Sequence, residues 1–228
     1  MRSLVYSIYT ILFRLAHYLQ KGLQIIDSRL WSVNLIVSGN NVLKINHSVV
    51  GKSEICITGD NNIVNINGHK LYKCEIKISG TNNIITISPQ CEINNTIIVI
   101  NGDNCNVSVS NNTRIGSSYM VCMGQSNHIN IGPDCMIADN VDIWATDAHP
   151  ICDENGSVIN PSQPINIGKH VWLGKYSKVL KGVTIGENAI IGMSSVVTHD
   201  IPAGALVVGE QCRVVKNNVN WSREFIEV

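Results

Sequence analysis

Apolar residues fall along this chain in three rhythms, and each predicts a different element. Over residues 3–30, Leu4, Ile8, Ile11, Leu15, Leu19, Leu23 and Ile26 recur at three- and four-residue steps. Arg14, His17, Gln20, Lys21 and Gln24 gather on the other side. That spacing predicts an amphipathic N-terminal α-helix, assigned to residues 1–30. Tyr6 and Phe13 interrupt its polar face and its basic cluster is thin, so packing on protein is favoured over a membrane-surface role.

After Trp31 the rhythm lengthens. Asn40-Asn41-Val42, Asn61-Asn62-Ile63, Asn82-Asn83-Ile84, Asn104-Cys105-Asn106-Val107 and Ser126-Asn127-His128-Ile129 share one phrase. Gly59, Gly80, Gly102 and Gly124 precede four of them, in steps of 21, 22 and 22. A period near 21 with β-branched runs predicts a solenoid of short strands over residues 31–130. From residue 131 to 212 the period tightens to six. Ile131, Ile137 and Ile143 are followed, after a break, by Ile167, Leu173, Val179, Ile185, Ile191, Val197 and Ala203. Four positions after the units from Ile167 to Ile191 stand Val171, Ser177, Val183, Ala189 and Ser195, all small or β-branched. Each unit reads as a strand and a turn. Three units make one triangular coil, the aliphatic residue pointing inward in every unit. Inward Ile and Val form ladders along the axis, and Asn at equivalent corners can hydrogen-bond from coil to coil. Between His149 and Pro164 the register vanishes, which predicts a protruding loop of functional importance. Residues 213–228 form a C-terminal tail.

Composition fits this picture. The 228 residues include 33 Ile and 27 Asn but only 5% aromatics. Branched aliphatics with Asn suit short strands joined by tight turns. A formal net charge of zero argues against nucleic-acid binding. The eight cysteines form no CxxC and most sit among Ile and Val, so reduced thiols, most of them in the core, and a cytoplasmic setting are expected. No apolar run reaches the roughly 20 residues of a spanning helix, and no secretory signal is expected.

The hexads over about 131–209, the run Thr146-Asp147-Ala148-His149-Pro150-Ile151 and the segment from Ile167 to Gly174 resemble the hexapeptide-repeat acetyltransferases. Sugar and cell-surface polysaccharide O-acetyltransferases, of the kind acting on sialic-acid polymers, look most similar. The resemblance implies a left-handed parallel β-helix, a homotrimer with active sites between subunits, and acetyl-CoA as co-substrate. It implies that His149 is the general base and that Asp147 orients it or holds the acceptor. Trp172 would line the channel for the pantetheine arm. Gly174, Lys175, Met193, Thr198, His199, Arg213 and Lys216 would supply the remaining coenzyme contacts. His199 stands where relatives often carry Lys, and Met193 where Ala is usual.

The chemistry is consistent with those types. A sugar hydroxyl is a poor nucleophile at neutral pH and needs a base, and neutral imidazole is available near pH 7. The expected reaction is acetyl transfer to a sugar hydroxyl of a cell-surface polysaccharide or its precursor. The alternatives are N-acetylation of an amino-sugar nucleotide and a non-catalytic scaffold. A metal is not expected, although His128, His149 and His170 are spaced 21 and 21. The expected location is the cytoplasm, with membrane contact through residues 1–30 as a variant of it.

Overall fold

The computed structural model describes residues 4–8, 13–20 and 22–224. From Gly22 onward the backbone winds as a parallel β-solenoid of triangular section. Eight strands stack on the first face, from Val33–Val37 to Val196–Val197. A second face stacks Val42–Asn46 up to Thr184–Ile185, and a third stacks Val49–Gly51 up to Leu206–Val208. The coils are in strict register, as where Ile76 lies between Ile55 and Ile98. At roughly 4.8 Å per coil, eight coils rise about 40 Å. The first corner joins faces one and two, the second joins two and three, and the third leads back to face one.

Hydrogen bonds run along the axis, so residues at equivalent positions touch and the ladders read from the sequence are real contacts. Every hexad residue from Ile131 to Val197 is buried, as are Val171, Ser177, Val183, Ala189 and Ser195. At the first corner an asparagine ladder is buried inside the prism. Asn62 Nδ2 donates to the Gly80 carbonyl at 2.9 Å, and Asn83 Nδ2 to that of Gly102 at 2.7 Å. Asn41 Oδ1 accepts the Asn62 N–H at 2.8 Å, and Asn62 Oδ1 that of Asn83 at 2.9 Å. Each buried amide is thereby satisfied by its neighbours above and below. The glycines beside them leave no room for a side chain. A Cβ on Gly80, at φ +122°, would lie 1.9 Å from the Gly102 carbonyl oxygen.

Two expectations are corrected. No helix is found among the described residues of 1–30: Leu4–Ile8, Phe13–Gln20 and Leu23–Trp31 are strands. Residues 1–3, 9–12 and 21 of that expected helix lie outside the described residues. Leu23–Trp31 pairs in parallel with Val42–Asn46 and Val49–Gly51, crossing the second corner at Asp27, where φ is +44°. Its buried residues are Ile25, Ser28 and Leu30, not Leu23 and Ile26. Ala203 is the second correction, because it is exposed. Ile201 pairs with Ile185 and Val207 with Ile191, each 16 residues on instead of 18. The last coil is two residues short, so the inward positions become Ile201, Ala205 and Val207.

Gly80→Ala should lower stability by about 3 kcal/mol or more, because backbone strain adds to a clash with a carbonyl fixed in the stack. Gly156→Ala, in the loop, has φ +80° but nothing within 4 Å, so only about 1 kcal/mol of backbone strain should appear. Urea unfolding midpoints for the two variants check the contrast.

Candidate active site

The strand Val141–Trp144 ends at the first corner, and here the chain leaves the stack. Thr146 is buried, and its Oγ1 accepts the Ala148 N–H at 3.0 Å and pairs with the Ser162 hydroxyl at 2.9 Å. The loop's two ends are thus held together at their root. The His149 N–H then donates to the Asp147 carbonyl at 2.7 Å, two residues back, with Ala148 at φ +63°. This is a γ-turn of the strained hand. Strain of that kind persists only where the surroundings enforce it, and it clusters at functional sites. It presents the His149 side chain, which is exposed, at the edge of the prism.

Two residues absent from the sequence-based set enforce the turn. Lys181, on the same corner one coil on, places Nζ 2.5 Å from Asp147 Oδ2 and 3.0 Å from the Asn160 carbonyl. Asn160 Nδ2 donates to Asp147 Oδ2 at 2.8 Å and to the His149 carbonyl at 3.0 Å. Asn160 Oδ1 accepts the Ile151 N–H at 2.6 Å. The Lys181 ammonium, followed by the Asn160 amide, holds the Asp147 carboxyl below the ordinary carboxylate range. Asp147 is therefore committed to the backbone that carries His149, and no contact joins its carboxylate to the imidazole ring. Beyond the turn, residues 151–159 form a short finger in which Cys152 bridges Val158 and Asp153 caps the tip. Ile151, Val158 and Ile159 on it are 55%, 56% and 59% exposed.

The coenzyme candidates fall at several places. Thr198 and His199 lie on the first corner, the corner of His149, two coils beyond it. Trp172 projects from the third face, half-buried. Gly174, Lys175 and Met193 lie at the third corner, Met193 being 66% exposed. Lys175, Tyr176 and Ser194 line a concavity of about 910 Å³ that extends over the first face to Tyr119 and Asp142. Arg213 and Lys216 sit on a closing antiparallel strand, Arg213–Lys216. Three residues apart, they would normally point to opposite sides. A bulge sets them opposite Val208 and Leu206, two outward positions, so both lie on one side.

The tail covers part of Trp172. Trp221, 6.1 Å from it between ring centroids, stacks on His170 at 4.1 Å. His170 Nδ1 meets Asp134 Oδ2 at 2.6 Å and Nε2 meets the Trp221 carbonyl at 3.0 Å, while Arg223 binds Asp134 Oδ1 at 3.0 Å. His128, His149 and His170 do not converge: they lie on the second face, the first corner and the second corner.

The model of the bacterial transferase hexapeptide (six repeats) matches residues 164–199, the coils that carry Trp172 through His199. The crystal structure of the polysialic acid O-acetyltransferase OatWY superposes with a TM-score of 0.61 at 30% identity, covering 76% of this chain and 92% of that one. The chain belongs to the hexapeptide-repeat transferase family. Within the family it is 42% identical over 91 residues to the galactoside O-acetyltransferase of Escherichia coli K12, covering 39% of this chain and 43% of that one. It is 32% identical over 118 residues to the polysialic acid O-acetyltransferase of Escherichia coli O1:K1, covering 51% and 38%. The chain thus spans about two fifths of the length of these two relatives. His149, Arg213 and Lys216 lie outside the stretch that the family model covers.

Lys181→Met removes the first cause of the Asp147 shift, so the Asp147 pKa should climb toward the ordinary ~3.9. A folded-state pKa that is depressed stabilises the folded turn above the unfolded value and loses that contribution as pH falls through the folded one. Carboxyl-carbon NMR titration of wild type and variant checks it, and an unchanged midpoint would remove Lys181 from the role.

Proposed function

We propose that this protein is an acetyl-CoA-dependent O-acetyltransferase that esterifies a sugar hydroxyl of a bacterial cell-surface polysaccharide or its precursor. The observation that carries the reading is His149: exposed on a strained turn, braced by Asp147, Asn160 and Lys181, where the loop leaves the stack. The names of the similar proteins, two of them polysialic acid O-acetyltransferases and one a galactoside O-acetyltransferase, supply the substrate class.

In the proposed reaction His149 takes the proton of the sugar hydroxyl as its oxygen attacks the thioester carbonyl. A C–O bond forms, the C–S bond breaks and the proton passes to the coenzyme thiolate. Backbone N–H groups steady the oxyanion between those steps. Asp147 is a positioning residue, acting through the turn. Trp172, Lys175 and Met193 receive the pantetheine arm, Gly174 contributes backbone groups, Thr198 and His199 supply further coenzyme contacts, and Arg213 and Lys216 meet the phosphates.

A single prism separates His149 from Trp172, Lys175 and Met193 by the width of a face. We therefore propose a homotrimer of left-handed prisms in which the first corner of one copy meets the third corner of the next. The exposed Ile151, Val158, Ile159 and Met193 are apolar surface for that contact. The proposed setting is the cytoplasm, where acetyl-CoA is available and thiols stay reduced.

His149→Ala should cut turnover by roughly 10²–10⁴, the contribution of one general base, with the fold intact by circular dichroism. Coenzyme A release measured with a thiol reagent gives the rate, and activity within tenfold of wild type would remove His149 from the role. An alkali-labile acetyl group on the product, read by mass spectrometry, identifies the ester; an alkali-stable one would mean N-acetylation.

Light scattering at micromolar concentration should give three times the 25.0 kDa of one chain. A monomer would overturn the shared site.

Arg213→Gln with Lys216→Gln should raise KM for acetyl-CoA and leave kcat near wild type, since remote phosphates contribute nearly uniform binding. Acetyl-pantetheine lacks the nucleotide, so it should be used equally well by the variant and wild type. An equal loss with both donors would show that the pair does not grip phosphates.

A further inference from the structure

The opening coils carry a feature that acetyl transfer does not use. Leu23–Trp31 ends on an indole that lies across the third face. Beneath it, in the next coil, is Gly51, where a Cβ would fall 2.1 Å from the Trp31 ring. The missing side chain lets Trp31 reach Tyr72, one coil further on, and the two rings stack at 6.2 Å and 29°. Both aromatics are only half-buried. Around Tyr72 stand three exposed ammonium groups: Lys73 at 5.5 Å, Lys52 at 5.8 Å and Lys70 at 6.0 Å from the ring centroid.

None of these lysines is paired with a carboxylate among the described residues. The nearby acids are engaged elsewhere. Glu92, beside Lys70 in register, faces Arg114 at 3.9 Å. Glu54 takes the Asn34 amide at 3.0 Å, and Glu75 is bound by Lys77 on the first face. Lys52 and Lys73 also occupy left-handed corner positions, φ +49° and +54°, where equivalent corners further up use Asn95 and Asn140. Asn tolerates that conformation better than Lys does. Three like charges round one ring repel each other. Neither winding the coil nor packing it requires that arrangement.

A ligand with a flat apolar face and repeated negative charge satisfies it. The C–H face of a pyranose ring can lie on the aromatic pair while carboxylates meet the ammonium groups. We propose that Trp31, Tyr72, Lys52, Lys70 and Lys73 form a binding site for a carboxylated polysaccharide, gripping the acceptor polymer away from the point of acetylation. The inference rests on the reading that the acceptor is a glycan. The site lies on the same face as Trp172, four coils below it, roughly 19 Å at ~4.8 Å per coil. The strands ending in Tyr72, Asn94, Ile115, Ile137 and Leu173 pair in sequence along that face, so the aromatic pair and Trp172 belong to one continuous sheet.

The test is calorimetric titration of the full chain, without acetyl-CoA, with sialic acid oligomers, polygalacturonate fragments and hyaluronan fragments, and with neutral dextran. At least one carboxylated glycan should bind and dextran should not. Lys52→Gln with Lys73→Gln, a surface change that spares the fold, should weaken binding at least tenfold, and so should Tyr72→Ala. Neither variant should change acetyl transfer to the corresponding monosaccharide, followed by thiol release. The proposal is overturned if no carboxylated glycan binds, if the variants bind as wild type does, or if dextran binds equally. It is also overturned if oligothymidylate or phosphatidylglycerol vesicles bind through these residues more tightly than every glycan. Acetyl transfer without polymer binding would sink this site alone. Polymer binding without transfer would support the site and sink the enzymatic reading.

Discussion

Between its two ends, each described coil of this protein takes its backbone hydrogen bonds from the coils above and below. A globular sheet satisfies its strands sideways within one layer, whereas here the pairing direction is the long axis of the molecule. Whatever stands at one position must therefore tolerate a near copy of itself about 4.8 Å away. At the first corner that demand admits Gly, because a Cβ on Gly59 or Gly102 would collide with the carbonyl of the next glycine at 2.0 or 1.9 Å. It admits Asn beside it, because an amide carries a donor and an acceptor and can serve both neighbours at once. Where Cys105 interrupts the ladder, its Sγ takes over toward the Gly124 carbonyl at 3.4 Å, and Asn127 resumes one coil later. The low aromatic content has the same origin, since a prism filled by Ile, Leu and Val ladders has no space for large rings inside.

This constraint explains which features could be read from the chain. An inward position repeats in sequence because it repeats in space, so the hexads and the asparagine phrases were visible before any coordinates. A corner inside a strand disturbs the alternation. In Leu23–Trp31 the three-residue step from Leu23 to Ile26 imitates a helix face, while the bend at Asp27 moves burial to Ile25, Ser28 and Leu30. The shortened last coil hid itself because Ala203 continued the six-residue frame that the backbone had abandoned.

The candidate site was legible only in part. His149 declared itself through the break in register. Asn160 and Lys181 did not, because they meet Asp147 across 13 and 34 residues and no period links a loop residue to the stack. The Trp221 clasp on His170 was hidden for the same reason, joining residues 51 apart through a tail outside the repeat. The pairing of Arg213 with Lys216 on one side depends on a bulge, which leaves no mark in a spacing rule. Contacts along the axis repeat and so leave a pattern, whereas contacts that depart from it occur once.

A triangular prism also limits how a site can be made. Its interior is occupied: Ile143, Leu173, Val179 and Ala189 are fully buried, and no cleft opens between strands that are bonded to both neighbours. The proposed reaction, which must shield a thioester from water while aligning a sugar hydroxyl, needs walls on more than one side. In that reading one wall is the finger that leaves at His149, its root braced by Asn160 and Lys181. The chain leaves Trp172, Lys175 and Met193 on another edge, with apolar side chains exposed on the finger. The proposed trimer supplies the second wall from the third-corner edge of a neighbouring copy, which suits a fold whose regularity prevents it from folding around a substrate by itself.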